Sequence, residues 1–472
     1  MKKVLSGIGA NVEIFFPNRF SDGYGVSREA LERCYNLYKP ELLLTVDCGT
    51  NSHDLLESFL HMAKVIVTDH HEINDKDSFT YPVINPCRIN GMTPFAGVGV
   101  AFKLCHALYK KFRKNVRMLP DLRQFFDYIA LGTVADVVPL VGENRTMVKY
   151  GMKLFNENPS LWVQTIKKIA GLNKKIGTYE LAFVFAPRLN ASGRMKDAET
   201  AYNLLMTNNE DEADALAVEL EHVNNDRKRN ENKILALTEK EICENMDITK
   251  DFGLVAAGHG WHKGIIGIVA SRMCEKYNRP VAVISIQDDG TGRGSCRAIE
   301  GGDITAVLNK CADFLDSFGG HRMAAGFNLK KGCLSNFREA FNSAVKKEFG
   351  NAVVQKTFKV DAWLSKLEDV NEKLFEEIKL MEPFGVGNPS VLFGMKNLEI
   401  AEAPVEIGKN KEHLRFKISD GKNEKSAVSF RYLDKKLPPP SGKIDILFRI
   451  TENNYMGHKT IEMHVERWRR SS

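Results

Sequence analysis

The residues best equipped for chemistry stand at the ends of two short apolar runs. V65-I-V-T-D-H-H71 finishes on an acid and two adjacent histidines, Asp69, His70 and His71. L42-L-L-T-V46 is followed at once by Asp47, Cys48 and Gly49. Carboxylates and imidazoles in one set suit manganese, iron or zinc better than calcium. A third acid, Asp136, lies among small and apolar residues in G132-T-V-A-D-V-V-P-L140, where an ionised group is costly unless it is paired or metal-bound. Taken singly, each aspartate serves equally well as a helix cap. Taken together, they point to metal chemistry.

The elements that must position them read as strands and helices in alternation. Val65, Ile66 and Val67 are consecutive and β-branched, as in a strand covered on both faces. Ligands in open α/β sheets bind outside the carboxyl ends of such strands. Met1 to Ala10 reads as the end of a helix, V12-E-I-F-F16 as a strand, and 29–38 and about 52–62 as helices. A helix with a glycine-rich start follows over 96–109. This alternation predicts a parallel sheet. Further on, A186-P-R-L-N-A-S-G-R-M195 gathers Arg188, Asn190, Ser192 and Arg194 in a turn whose donors suit phosphate oxygens. From about residue 209 to 243 there is neither Gly nor Pro. Apolar residues at helical spacing flank the polar N224-N-D-R-K-R-N-E-N232, predicting a helix of ~50 Å that bridges two domains and is wet in its middle.

A second α/β unit follows. G253-L-V-A-A257 and Val281–Ile286 read as strands, and W261-H-K-G opens a helix. R293-G-S-C-R297 and G319-G-H-R-M-A-A-G326 read as glycine-rich turns that present Arg297 and His321 to a phosphate chain. Five alternating segments, 397–408, 413–419, 424–432, 443–451 and 459–469, predict a small β barrel or sandwich. Phe416, Phe430, Tyr432 and Phe448 interleave there with Arg415, Lys417, Arg431 and Arg449. That pattern suits an OB-type barrel on which single-stranded bases stack, although barrel core is the commoner place for any one such aromatic.

Composition bounds the class. The chain has 472 residues, 43% of them apolar and 27% charged, which is ordinary for a globular protein of about three domains. A formal charge of +6 permits an anionic partner without requiring one. Nine scattered cysteines without a CxxC pair speak against disulfides and structural zinc. No apolar run approaches the length of a membrane helix, so the expected location is cytoplasmic, with no membrane partner.

The motifs taken in order resemble the RecJ family of the DHH phosphoesterase superfamily over nearly the whole chain. They are Pro17-Asn18-Arg19-Phe20 with Asp22-Gly23-Tyr24-Gly25, V46-D-C-G49, T68-D-H-H71, Ala135-Asp136, and the run from Pro187 to Arg194. W261-H-K-G, G319-G-H321 and the turn from Glu382-Pro383-Phe384-Gly385 to Gly387-Asn388-Pro389 complete the set.

The resemblance implies an α/β fold. It comprises a DHH-type parallel-sheet domain over 1–200, a long connecting helix over 201–247, a DHH-associated α/β domain over 248–350 and an OB-fold-like β barrel over 351–472. It implies a metal-dependent exonuclease releasing nucleotides 5′-to-3′ from single-stranded DNA in repair and recombination. Two Mn2+ or Mg2+ ions would be held by Asp47, His70 and Asp136, with Asp47 bridging. Asp69 would orient the histidines, and His71 would contact the scissile phosphate. Arg188, Asn190, Ser192, Arg194, Arg297 and His321 would hold the DNA backbone. Partners implied besides DNA are a single-stranded-DNA-binding protein and a helicase.

The family's aspartate-rich first motif has no counterpart in these 472 residues, and G294-S-C-R-A298 has Ala where the family more often has Ser. Three expectations follow for the first motif: truncation, supply by a separate polypeptide, or loss of nuclease activity. Two other functions compete. One is a DHH phosphoesterase on short oligonucleotides or cyclic dinucleotides, and the other is an inactive single-strand-binding homologue.

Overall fold

Leu42–Val46 (β1) and Lys64–Thr68 (β2) run parallel in the computed structural model, Leu42 opposite Lys64 and Val46 opposite Thr68. Val83–Ile84 (β3) pairs with the other edge of β2, also parallel. The central place of β2 explains why Val65 and Val67 are buried while Leu42 and Val46 are exposed. The structure describes residues 1–472 apart from 19–21, 23–24, 74–77, 90, 93, 117–118, 196–197, 351–356, 409, 433–441, 456–457 and 472. Arg19, Phe20, Gly23, Tyr24 and the proline-rich turn at 438–441 therefore lie outside the described residues.

Two compact units divide the chain. The first holds Met1–Asn225 together with the distant segment Met381–Ser390; the second holds Asp226–Leu380 and Val391–Ser472. Helices of the first unit are Lys2–Gly7 (α1), Arg28–Tyr38 (α2), His53–Ser58 (α3), Gly97–Phe112 (α4), Phe126–Ala135 (α5) and Gly142–Glu157 (α6). Leu161–Ile169 (α7), Thr178–Glu180 (α8), Ala186–Met195 (α9) and Glu199–Met206 (α10) follow, and Glu210–Asn245 (α11) begins there. Local chemistry sets the ends: the Ala30 N–H donates to Ser27 Oγ where α2 starts, and Lys39 turns left-handed where it stops. The core is built from Phe155, Trp162 and Phe185, packed edge to face at centroid distances of 5.3–6.0 Å.

Residues 12–16, expected as a strand, join no ladder; strand pairing is non-local, and a short apolar run does not by itself supply a partner. The run 186–195, expected as a turn, is helix α9, entered through one wide π-type turn at Leu181–Phe185. α11 is continuous over 36 residues, about 54 Å at 1.5 Å per residue. Its polar middle is not simply wet. Arg227 and Glu231 are buried, with Arg227 Nη1 2.9 Å from Glu231 Oε2 and Arg272 Nη1 3.1 Å from Glu231 Oε1. One face of the polar run is thus covered, because its charges are paired.

The second unit carries a five-stranded sheet of Leu254–His259 (β4), Val281–Ile286 (β5), Gly292–Arg297 (β6), Leu315–His321 (β7) and Ala324–Leu329 (β8) in the order β4-β5-β6-β8-β7. Ile266–Tyr277 (α12), Ile304–Asn309 (α13) and Leu334–Phe349 (α14) accompany it. The two glycine-rich stretches expected as turns are mostly strand. Gly294 has no side chain because Phe327 lies over it, and a Cβ there would come within 2.0 Å of Phe327 Cζ.

The chain then forms Ala362–Trp363 (β9), Glu372–Lys379 (α15), Phe393–Ile407 (β10), His413–Ser419 (β11), Glu424–Ser429 (β12), Ile444–Tyr455 (β13) and His458–Arg470 (β14). Their sheet closes on itself through the β10–β11 pairing, giving a barrel. Phe416, Tyr432 and Phe448 are barrel core, and only Phe430 of the four interleaved aromatics is exposed.

Candidate metal centre

β1 and β2 end side by side, and the Asp47 N–H donates to the Thr68 carbonyl at 2.9 Å. Asp47 itself is left-handed, with φ +64°, a conformation that costs about 1–3 kcal/mol and persists only where its surroundings fix it. Gly97, the first residue of α4, lies directly against it: a Cβ at Gly97 would fall 2.1 Å from Asp47 Oδ1. The glycine-rich helix start thus brings the positive end of α4 to a carboxylate.

One step beyond β2, the buried Asp69 organises the next turn. It accepts from the backbone N–H of Thr50 at 3.0 Å and of His70 at 2.8 Å, and from His71 Nδ1 at 2.6 Å. Burial pushes its carboxyl up, but His71, Thr50 and His70 overcome this and hold it well below the usual carboxylate range. Asp69 raises His71 in return, against the pull of burial. Asn85 ties the turn down, its Nδ2 donating to Thr50 Oγ1 at 3.0 Å and to the His71 carbonyl at 2.9 Å.

His70 faces the other way. Its Nε2 stands 3.1 Å from Asp47 Oδ1 and 3.3 Å from Asp136 Oδ2. Burial lowers His70, but Asp47 and Asp136 outweigh it and raise its pKa. Burial and the Asp47 charge raise Asp136, with His70 opposing. Asp136 comes from the C-terminal end of α5, and the next residue, Val137, is left-handed at φ +60°, a genuine outlier for a β-branched side chain. Ligand atoms of Asp47, His70 and His71 all lie within 4.8 Å of one another. Two carboxylates meeting at one imidazole, with a second imidazole beside them, form a donor set that a divalent cation fits.

The remaining candidates are placed as follows. α9 turns Arg188 and Ser192 inward and leaves Asn190 exposed, with Arg194 half-buried. Arg188 Nε is 2.6 Å from Glu221 Oε2, and Arg188 Nη1 donates to the Val184 carbonyl; that guanidinium braces α9 against α11 instead of presenting a fork to solvent. In the second unit, Arg297 and His321 both register with Ala324, on the two strands flanking β8. Ser295 Oγ and the Cys296 carbonyl accept from Arg297 Nη1, and His321 is exposed. Sequence reasoning missed Thr50, Asn85 and Gly97. The Asn85-Pro86 turn and the glycine-rich start of α4 were the signals that carried them.

A parallel sheet with acids and histidines at its strand ends, followed by a second α/β unit and a closed barrel, defines a phosphoesterase of the DHH type. Family models agree: the DHH family N-terminal domain matches residues 1–133, the DHHA1 domain 250–347 and the RecJ OB domain 360–467. The chain is 31% identical to the single-stranded-DNA-specific exonuclease RecJ of Escherichia coli, covering 97% of this chain and 82% of that protein. It is also 31% identical to RecJ of Bacillus subtilis, covering 99% of this chain but only 58% of the relative. Among solved structures, RecJ of Thermus thermophilus in complex with Mn2+ superposes with a TM-score of 0.83 at 28% identity. That match covers 99% of this chain and 66% of the other. The chain belongs to the RecJ family.

Proposed function

We propose that this chain is a metal-dependent exonuclease that degrades single-stranded DNA from its 5′ end. One observation carries the reading: His70 Nε2 converges on Asp47 and Asp136 at 3.1 and 3.3 Å while Asp69 locks His71 beside them. The substrate class comes from relatives named single-stranded-DNA-specific exonucleases, and the metal from RecJ structures holding Mn2+ or Mg2+. Asp47, His70 and Asp136 would hold the ions. When bound, such ions supply Lewis acidity and a water of lowered pKa.

The protein's own contribution is position. Asp69 receives the Nδ1–H of His71, which fixes the ring and directs Nε2 away from Asp69, toward a scissile phosphate oxygen. Asn190 and Arg194 offer donors to the strand from the outer side of α9, with Arg188 and Ser192 holding that helix in place. Arg297 and His321 of the second unit add hydrogen-bond donors, the former a guanidinium. The working parts are a DHH domain over 1–200, a connecting helix over 201–247, a DHH-associated domain over 248–350 and an OB-like barrel over 351–472. No helix of the described residues is long and apolar enough to cross a membrane, and we place the activity in the cytoplasm. An enzyme needing free single strands requires a source of them, so a helicase and a single-stranded-DNA-binding protein are expected partners. The test is nucleotide release from 5′-labelled single-stranded DNA in Mn2+. Release lost in Asp136→Ala is expected, and no release from the parent chain refutes the reading.

A further inference from the structure

The turn over 381–390 lies between α15 and β10 in sequence, yet it packs in the first unit, beside the segment that carries Asp136. The contacts are specific. The Leu140 N–H donates to the Val386 carbonyl at 2.7 Å, Thr178 Oγ1 to the Phe384 carbonyl at 2.8 Å, and Arg145 Nη2 to the Met381 carbonyl at 2.7 Å. Gly385 and Gly387 permit the close approach. A Cβ on Gly385 would meet Leu140 Cδ1 at 2.6 Å, and one on Gly387, which is also left-handed at φ +74°, would meet Pro139 Cβ at 3.0 Å.

The turn is also built to keep its shape. Asn388 Nδ2 donates to the carbonyls of Met381 and Pro383, and Gly385 and Asn388 exchange backbone bonds. The buried Asn144 Nδ2 also donates to the Pro139 carbonyl at 3.0 Å. The strained Val137 and the Asp136 before it are therefore attached to a segment held both by the turn, at Leu140, and by Asn144, at Pro139. A left-handed valine has no intrinsic reason to stay so, and a preformed neighbour that fixes Leu140 supplies one.

We propose that Gly385, Val386 and Gly387 are positioning residues for Asp136: the 381–390 turn fixes the backbone that aims this carboxylate at His70. The inference rests on Asp136 being a metal ligand. It assigns to a segment distant in sequence a direct hold on the affinity of the centre.

Two measurements on the full chain test it. Hydrogen exchange of the metal-free chain reads protection of the Leu140 amide, and calorimetric titration reads Mn2+ affinity. In Gly385→Ala the Leu140 amide should exchange faster, and Mn2+ should bind about 10- to 100-fold more weakly, the usual effect of losing support behind a metal ligand. Adding Leu140→Val, which removes the atom the new methyl strikes, should restore both. Thr178→Val, which adds no atom at the contact, should weaken Mn2+ in the same direction if Gly385→Ala fails to fold. Gly421→Ala, at a left-handed barrel turn with nothing near its Cβ, should leave Mn2+ affinity unchanged. Unaltered Leu140 exchange or unaltered affinity in Gly385→Ala, with affinity lost in Asp136→Ala, overturns the positioning role alone. Affinity retained in Asp136→Ala, or absent from the parent chain, overturns the metal reading and the inference with it.

Discussion

Replacing Asp69 by Ala should destabilise the first unit by about 3–5 kcal/mol, chiefly because a buried carboxylate that satisfies two backbone donors is lost, its half-exposed partner His71 adding the smaller, solvent-screened part. The size follows from what the carboxylate holds. Its side chain is 2% exposed and accepts from Thr50, His70 and His71. Truncation strands donors that cost about 1–3 kcal/mol each when left unpaired, with entering water relieving part of the loss. At about 2–4 °C per kcal/mol for a unit of this size, the melting transition of the metal-free chain should fall by about 6–20 °C. Calorimetry at several pH values sharpens the test. The folded pKa of Asp69 is depressed, so its contribution is complete above about pH 5 and is lost as pH falls through that depressed value. His71 is raised, so its share is complete below about pH 6 and is lost as pH rises through the raised value. The gap between parent and variant should therefore be widest near about pH 5–6 and narrow on either side. A gap under about 1 kcal/mol, or one that fails to narrow on either side of that window, would refute the assignment of Asp69 as the residue that organises this turn.

Three further outcomes are expected. His71→Ala should cut nucleotide release at least about 100-fold while circular dichroism stays that of the parent and melting falls by less than in Asp69→Ala, since Asp69 keeps its backbone donors. Gly97→Ala drives a methyl into Asp47 and should weaken Mn2+ about 10- to 100-fold, read by titration, with little change in the barrel's own unfolding. Binding to labelled single-stranded DNA, measured by anisotropy at rising salt, should weaken linearly on logarithmic axes at about 0.7 counterions per phosphate contact. A flat response would remove phosphate contacts from the reading.

The strands and the acids at their ends were legible because both signals are local: a β-branched run, then Asp-His-His. β11 occupies the 413–419 expected for it, for the same reason. What escaped was set by partners far along the chain. Arg188 looked like a phosphate ligand until Glu221, on another helix, claimed its guanidinium. The stretch 293–297 looked like a turn because nothing in it announces Phe327, which needs the space that Gly294 leaves. Phe416 and Phe448 alternate with basic residues as a stacking platform would, yet barrel closure turns them inward. Thr50 and Asn85 are ordinary by type, and only their bonds to each other, to Asp69 and to the His71 carbonyl give them a role.

The wide turn at Leu181–Phe185 acts as a phase shift. Each residue of an α-helix advances its neighbour by about 100° around the axis. The azimuth of α9 is therefore set by how many residues the wide turn contains more than by which ones they are. Substitution at the exposed Phe183 should be absorbed and substitution at the buried Leu181 or Phe185 should cost core packing, yet neither turns the helix. Deleting one residue would rotate Arg188 away from Glu221 and carry Asn190 and Arg194 off their present side. For the direction in which α9 faces, length at that point of the chain is a more tightly held quantity than composition.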